Sequence, residues 1–144
     1  MRTMKKLILY LSIPLLFVGC QGLAVKEKII DNYFLVAADA SEWTSLSYHE
    51  DNEGANYSSL IEATVFAVGY NDNYMIVKQH PCTLPNPPDK NITNFYILPL
   101  KEGMNWRTKN GLMGPLTEQE FNAKRKELGI PKDLTFTKLL KNLE

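Results

Sequence analysis

The sequence predicts an α+β domain: an antiparallel sheet of about five strands with one or two C-terminal helices packed on one face. Residues 32–100 consist of short apolar or alternating runs separated by turn-forming residues, which is typical of strands. Residues 116–143 carry helix-capping signals and helical spacing of apolar residues. The 144 residues are enough for one core and too few for two sizeable ones. We therefore expect a single domain over residues 31–144.

The first strands are predicted at residues 32–39, an apolar run that ends in turn formers, and at residues 42–50, where polar and apolar side chains alternate. A polar stretch, residues 51–59, separates them from a long strand predicted over residues 60–70. Phe66 and Val68 of that strand are predicted core residues.

The most clearly marked element is a hairpin. Asn71, Asp72 and Asn73 tolerate the positive φ angles of tight turns, so residues 74–80 are predicted to return antiparallel to residues 60–70. Residues 81–91 contain four of the eight prolines and are predicted to be an exposed loop. A further strand is predicted over residues 94–100.

Two helices are predicted after the strands. Thr117 and Glu120 fit a capping box, Leu116 and Phe121 fit the hydrophobic staple, and Gly129 followed by a proline supplies the stop. A second helix is predicted from apolar residues spaced i, i+3, i+4 and i+7, namely Phe136, Leu139, Leu140 and Leu143.

The first nineteen residues have the order of an export signal. Three bases lie in residues 1–6, residues 7–18 are an uncharged apolar run, and Gly19-Cys20 follows. A membrane-spanning helix needs about 20 apolar residues, so this run is too short to be one. We expect a signal peptide over residues 1–19.

The end of this segment resembles the lipobox of bacterial lipoproteins, in which a small residue precedes a cysteine that becomes lipidated. Gly19 and Cys20 match this pattern, whereas Phe17 departs from the usual Leu three positions before the cysteine. The resemblance implies a diacylglyceryl thioether on Cys20, the new N-terminus. Residues 20–30 would then be the lipidated cysteine and a tether, and the protein would be lipid-anchored in the cell envelope, outside the cytoplasm.

Charge is balanced in total but uneven along the chain. Sixteen bases match sixteen acids, which argues against binding to nucleic acid. Without residues 1–19 the net charge becomes −3. Residues 29–77 hold eight acids and no Lys or Arg, and bases outnumber acids from residue 101 onward. Such asymmetry fits an acidic face packed near a basic segment, or a docking surface for a cationic partner.

Few residues of the mature chain are candidates for chemistry. His80 and Cys82 form the closest pair, and Asp72 or Asp89 could orient the imidazole. No zinc-ligand spacing, P-loop, dinucleotide fingerprint or nucleophile elbow is present in the sequence. The sequence therefore predicts no catalytic residue, no metal site and no cofactor.

Aromatic residues are numerous, and several on one sheet face would form a recognition surface for a peptide, a glycan or another protein. They are Tyr33, Trp43, Tyr48, Tyr57, Tyr70, Tyr74, Tyr96 and Trp106.

Residues 64–80 and 114–121 together look like a family of small bacterial lipoproteins of unknown function. The resemblance implies an exported, lipid-anchored α+β domain and no assigned catalytic residues. We expect a non-enzymatic binding module of the envelope, held to the membrane through Cys20. Two alternatives stay open: an inhibitor or immunity-type protein that uses the acidic stretch, and a small envelope enzyme that uses His80 and Cys82.

Overall fold

The computed structural model describes residues 22–50, 56–101 and 104–144. These residues form two antiparallel sheets, of four and five strands, and one α-helix. The domain is therefore mostly β. The predicted α+β class with a single sheet of about five strands fits it only in part, and the predicted signal peptide and Cys20 lie outside the described residues.

Sheet A consists of four strands in chain order, with a short 3-10 helix, Ser41–Trp43, between the second and the third. The strands are β1 (Val25–Ile30), β2 (Tyr33–Ala37), β3 (Ser45–His49) and β4 (Tyr57–Ile61). The predicted tether over residues 20–30 is wrong for its second half. Residues 25–30 pair with β2, and Ile29 joins the core.

Sheet B has the order β8-β7-β6-β5-β9. Its strands are β5 (Val65–Tyr70), β6 (Tyr74–Gln79), β7 (Asn94–Pro99), β8 (Met113–Leu116) and β9 (Lys138–Leu139). The predicted hairpin between β5 and β6 is confirmed. Its turn is closed by the Asn71 side chain, whose Oδ1 accepts hydrogen bonds from the backbone N–H groups of Asn73 and Tyr74 at 2.9 and 2.8 Å.

The single strand predicted over residues 60–70 is divided between the two sheets. β4 ends at Ile61 and β5 begins at Val65. The Thr64 hydroxyl donates to the carbonyl of Glu42, and the Val65 N–H donates to the carbonyl of Thr44 at 2.8 Å. These long-range bonds redirect the chain at Thr64, where the hydrophobic pattern shows no break.

The core is arranged in three layers, with sheet B in the middle. One cluster joins the inner face of sheet A to sheet B, and it includes Leu35, Leu46, Ile61, Val68, Val77 and Leu98. A second joins the opposite face of sheet B to the helix and the segment after it, through Ile76, Phe95, Ile97, Phe121, Ile130 and Leu134. Burial on both sides explains why β5, β6 and β7 have nearly continuous apolar sequences.

The predicted first helix is confirmed as α1 (Glu118–Glu127), including its capping box. The Thr117 hydroxyl accepts from the Glu120 N–H at 3.3 Å, and the Glu120 carboxylate accepts from the Thr117 N–H at 2.8 Å. Leu116 packs against the cluster that contains Phe121, as the staple predicts. The helix ends before Gly129, which has a φ of +66°.

The predicted second helix is wrong. Residues 138–139 instead form β9, a 3-10 turn follows at Lys141–Leu143, and the Leu140 N–H donates to the Phe66 carbonyl at 2.8 Å. The apolar residues of this segment belong to different core clusters. Phe136 packs against the cluster between sheet B and α1, whereas Leu143 is buried beside Phe66. Leu139 is 39% exposed, so the four side chains do not form one helical face.

Candidate functional site

His80 and Cys82 make separate hydrogen bonds to backbone carbonyls. His80 is buried, its ring stacks on Phe66 with 4.1 Å between centroids, and its Nδ1 lies 2.7 Å from the Ile92 carbonyl oxygen. Since a carbonyl only accepts, Nδ1 carries the proton in this bond. The half-buried Cys82 thiol donates to the Asn86 carbonyl at 3.5 Å. Neither contact joins the imidazole to the thiol.

The residues that the structure describes contain neither a metal-ligating cluster nor a membrane-spanning helix. Within that part of the chain, no three His, Cys, Asp or Glu side chains lie close enough together to hold a metal ion. No helix there is long and apolar enough to cross a bilayer.

Within the described residues, three ion pairs join acids of the N-terminal half to bases of the C-terminal half. Glu50 lies 3.9 Å from Arg107, Glu62 lies 3.8 Å from Lys109, and Glu27 pairs with Lys138. The uneven charge along the sequence is thus partly balanced by contacts between the two halves. Exposed pairs of this kind contribute little to stability, up to about 1 kcal/mol each.

One group of predicted aromatic residues lies at the end of the core between the sheets. The rings of Tyr33 and Tyr48 meet edge to face at 5.2 Å, and Trp106 stacks on Tyr48 at 5.1 Å with an interplanar angle of 8°. Burial raises the pKa of the Tyr33 phenol, and Tyr48 and Asp31 add to the increase. These rings close one end of the core, as expected for packed aromatics.

A second group lies on the outer face of sheet A, the face directed away from sheet B. Strand pairing places alternate side chains on this face, because Phe34 is opposite Lys28 and Ser47, and His49 is opposite Tyr57. The outer face, as the name is used below, consists of Lys26, Lys28, Phe34, Val36, Ser45, Ser47, His49, Tyr57 and Ser59.

Three rings of the outer face come together across β2, β3 and β4. The ring of Phe34 lies 5.5 Å from that of Tyr57 and 5.9 Å from that of His49, and the His49 and Tyr57 rings are 4.8 Å apart. Phe34 and Tyr57 are each half-buried, whereas His49 is buried at 8% exposure. The arrangement offers ring edges and partial ring faces, which suit planar or apolar groups of a ligand.

Hydroxyl and ammonium groups surround the three rings. The Ser45 and Ser47 hydroxyls are 3.0 Å apart, and the Ser45 hydroxyl also donates to the Val36 carbonyl at 3.3 Å. The Lys26 ammonium lies 5.7 Å from the centroid of the Tyr57 ring. Cations beside aromatic rings give this face the means to bind anionic groups.

A separate groove lies where α1 ends, lined by residues that include Lys126, Ile130 and Lys132. Its Arg125 guanidinium donates to the carbonyls of Pro131 and Leu134 at 2.6 and 2.8 Å. These bonds use Arg125 to hold the segment after the helix, so the groove is a weaker candidate than the outer face.

Tyr57 was among the aromatic residues that the sequence suggested for recognition. The sequence did not predict that Phe34 and His49 lie beside it. Their meeting depends on the register of three strands, and Tyr57 comes from a stretch that was predicted to be polar and non-strand. The alternation of residues 33–37, with Phe34 and Val36 on one face, was the signal that could have found Phe34.

In comparisons with known proteins, the family model described as Protein of unknown function (DUF3997) matches residues 30–140. No curated protein and no solved structure gave a significant match.

Proposed function

The chain belongs to the DUF3997 family, and we propose that it is a bacterial lipoprotein of the cell envelope, anchored through Cys20, that binds a partner on the outer face of sheet A. The binding is non-catalytic. The partner is an envelope protein, peptide or glycan that carries anionic groups.

The proposed binding role rests on one observation: the two sheets differ in how many of their faces are packed against the rest of the domain. Sheet B is packed on both faces, whereas sheet A is packed on one and keeps the rings of Phe34 and Tyr57 partly exposed on the other, beside the buried His49. The charged residues among the described members of the outer face are Lys26 and Lys28. The mature chain has a net charge of −3, so the outer face differs from the rest of the protein in being basic. Its two ammonium groups favour a partner that carries anionic groups.

The anchor is supported by the residues before the domain. A basic hexapeptide, an apolar run of twelve residues and Gly19-Cys20 meet the requirements of export followed by lipidation. A single acyl chain gives marginal membrane binding, of order 10⁴ M⁻¹, whereas two or more chains hold a protein firmly. A diacylglyceryl cysteine supplies two.

The non-catalytic role is supported by the hydrogen bonds of the two residues best suited to chemistry. His80 Nδ1 and Cys82 Sγ are each directed to a separate backbone carbonyl. A nucleophilic pair would instead need the imidazole within hydrogen-bond reach of the thiol.

The binding surface is tested by crosslinking in intact cells. A photoreactive amino acid replaces Lys28 on the outer face, or Lys126 on α1 as the matched control, since both are exposed lysines. We expect a discrete product from position 28 and none from position 126. The double substitution Phe34→Ser with Tyr57→Ser should abolish the product. Equal capture from both positions, or capture that survives the double substitution, contradicts the proposal.

The same experiment separates the inhibitor alternative, which would use the acidic stretch. A third photoreactive position, at the exposed Asp72 in the β5–β6 turn, reports on that stretch. Capture of a cationic protein from position 72, with none from position 28, would favour an inhibitor or immunity-type role.

The anchor is tested by mass spectrometry of the membrane-bound protein. We expect Cys20 as the first residue, carrying acyl chains, and we expect Cys20→Ser to block processing or release the domain to the soluble envelope fraction. An unmodified N-terminus, or a first residue other than Cys20, would rule out the lipoprotein assignment.

A further inference from the structure

The distance from Cys20 to the folded domain is short. Ala24 already belongs to the sheet, because its N–H donates to the Ala38 carbonyl at 3.2 Å, and Val25 pairs with Ala37. Three residues lie between Cys20 and Ala24, and even a fully extended chain spans at most about 14 Å over the four Cα-to-Cα steps that join them. An acyl chain on Cys20 therefore restricts which part of the domain can approach the bilayer.

We infer that one end of sheet A rests on the phospholipid headgroups, and that the three outer-face rings are held on the side away from the membrane. This inference depends on the lipid anchor proposed above. The anchor-proximal end comprises residues 22–25, where β1 begins, and residues 37–43, which run from the last residue of β2 to the end of the 3-10 helix.

Two apolar side chains at the anchor-proximal end suit contact with lipid. Leu23 is 40% exposed, and Trp43, at the end of the 3-10 helix, is half-buried. Tryptophan favours the boundary between headgroups and acyl chains, because its ring is apolar and its N–H can still be hydrated. Both residues would lie within reach of the bilayer surface if the tether holds this end down.

Electrostatic attraction alone does not explain the contact, since Asp39 and Glu42 lie at this end and offset the charge of Lys26, which pairs with Val36 beside it. Negative charges are not attracted to anionic lipid headgroups. The acyl chains must therefore supply the membrane affinity, while the length of the tether sets the orientation.

The register of sheet A gives the distance of the three rings from the anchor-proximal end. Phe34 lies three residues along β2 from Ala37, and the His49 N–H donates to the carbonyl of Asn32, which lies five residues from Ala37. At about 3.3 Å per residue, these levels are roughly 10 and 17 Å beyond the anchor-proximal end. An upright sheet A would thus present its rings to a partner above the headgroup layer.

Fluorescence quenching tests the orientation in the acylated, full-length protein. Cys82→Ser removes the free thiol among the described residues. Asp39→Cys or Asn32→Cys then supplies a single labelling site for a small fluorophore. The protein is reconstituted into phosphatidylcholine–phosphatidylglycerol vesicles that contain a lipid with a nitroxide on its headgroup.

We expect quenching at position 39 to exceed that at position 32 several-fold. Equal quenching, or stronger quenching at position 32, in protein that floats with the vesicles would overturn the orientation and leave the anchor intact. Protein that does not float with the vesicles would contradict the anchor itself, and the orientation with it.

A lengthened tether provides a second, independent measurement. Ten Gly and Ser residues inserted between Gln21 and Gly22 leave Cys20 and the domain unchanged but increase the reach of the tether. Flotation should persist, and the difference in quenching between positions 39 and 32 should shrink toward zero. A difference that stays the same would show that the tether does not set the orientation.

Discussion

Sheet A and sheet B are both antiparallel, but their surroundings differ. Sheet B has the sheet A core on one face and α1 on the other, so Val68, Ile76 and Ile97 have no measurable exposure. In sheet A, Leu35 and Leu46 are buried on the inner face while Phe34 and Tyr57 remain partly exposed on the outer. The comparison teaches that two antiparallel sheets of one domain can differ in how far they are covered: both faces of sheet B are packed, whereas the outer face of sheet A keeps two rings partly exposed.

The largest expected effect is that of Phe66→Ala in sheet B. Phe66 is 6% exposed, stacks on His80 and packs with Leu143, so truncation leaves a cavity that its neighbours cannot fill. We expect a loss of about 3–5 kcal/mol in the free energy of unfolding, measured by urea denaturation. A midpoint within a degree or two of the parent in thermal melting would show that this face of β5 does not stabilise the domain.

Gly69→Ala tests the contact between β5 and the C-terminal segment. A Cβ at position 69 would lie 2.0 Å from the Thr135 carbonyl oxygen, so the backbone of one segment must move. We expect a loss of about 1–3 kcal/mol in urea denaturation, together with faster proteolysis of residues 136–144. Gly22→Ala is the matched control, because a Cβ there meets nothing within 4 Å. Equal stability of the two variants would contradict the close approach.

Thr117→Ala tests the helix that covers sheet B. Removing the capping hydroxyl should cost about 1 kcal/mol of unfolding free energy at pH 7, and Thr83→Ala, in the exposed proline-rich loop, should cost much less. Hydrogen bonds from the Thr117 backbone N–H and hydroxyl lower the pKa of Glu120 below its ordinary value of 4.5.

The sign of the pH dependence follows from that lowered pKa. Because Glu120 loses its proton more readily in the folded state, its contribution is present above the unfolded pKa and is lost as the pH falls through the folded value. The stability difference between Thr117→Ala and the parent should therefore shrink below about pH 4. A difference that is constant between pH 7 and pH 3 would argue against the capping box.

The smallest expected effect on stability is that of Phe34→Ala, the outer-face counterpart of Phe66→Ala. Its ring is partly exposed and meets Tyr57 and His49 across strands, and such pairs contribute roughly 0.2–1 kcal/mol. We expect urea denaturation to show a loss within that range. A loss as large as that of Phe66→Ala would mean that the outer face is part of the core and not a free surface.

Local signals in the sequence predicted the elements that depend on neighbouring residues. The Asn71 turn predicted the β5–β6 hairpin because one side chain closes it, and Thr117 with Glu120 predicted the start of α1 for the same reason. Phe66 and Val68 were correctly predicted as core residues.

Long-range contacts decided what the sequence could not predict. The crossing between sheets at Thr64 depends on the Glu42 carbonyl, 22 residues earlier. β8 was missed because Gly114 and Pro115 argue against a strand, although Met113 and Leu116 pair with β7. The second helix was predicted wrongly because the spacing of Leu139 and Leu143 is helical by sequence, while the edge of β5 holds that segment extended.

The candidate site also depends on long-range contacts that the sequence could not predict. An excess of aromatic residues was visible in the composition, but whether they share a face depends on the register of β2, β3 and β4. Lys26 was assigned to the tether, so its position beside the Tyr57 ring could not be foreseen.

The C-terminal segment also has a consequence for the order of assembly during synthesis. Thr137 and Leu140 bond to the edge of β5, and Asn142 bonds to Ser41, 101 positions earlier. Because the ribosome releases the chain from its N-terminus, β5 emerges some seventy residues before the segment that covers it. During that interval its edge is an unpaired template for other strands. The edge of β5 is therefore most open to pairing with a wrong strand before residue 137 has been synthesised.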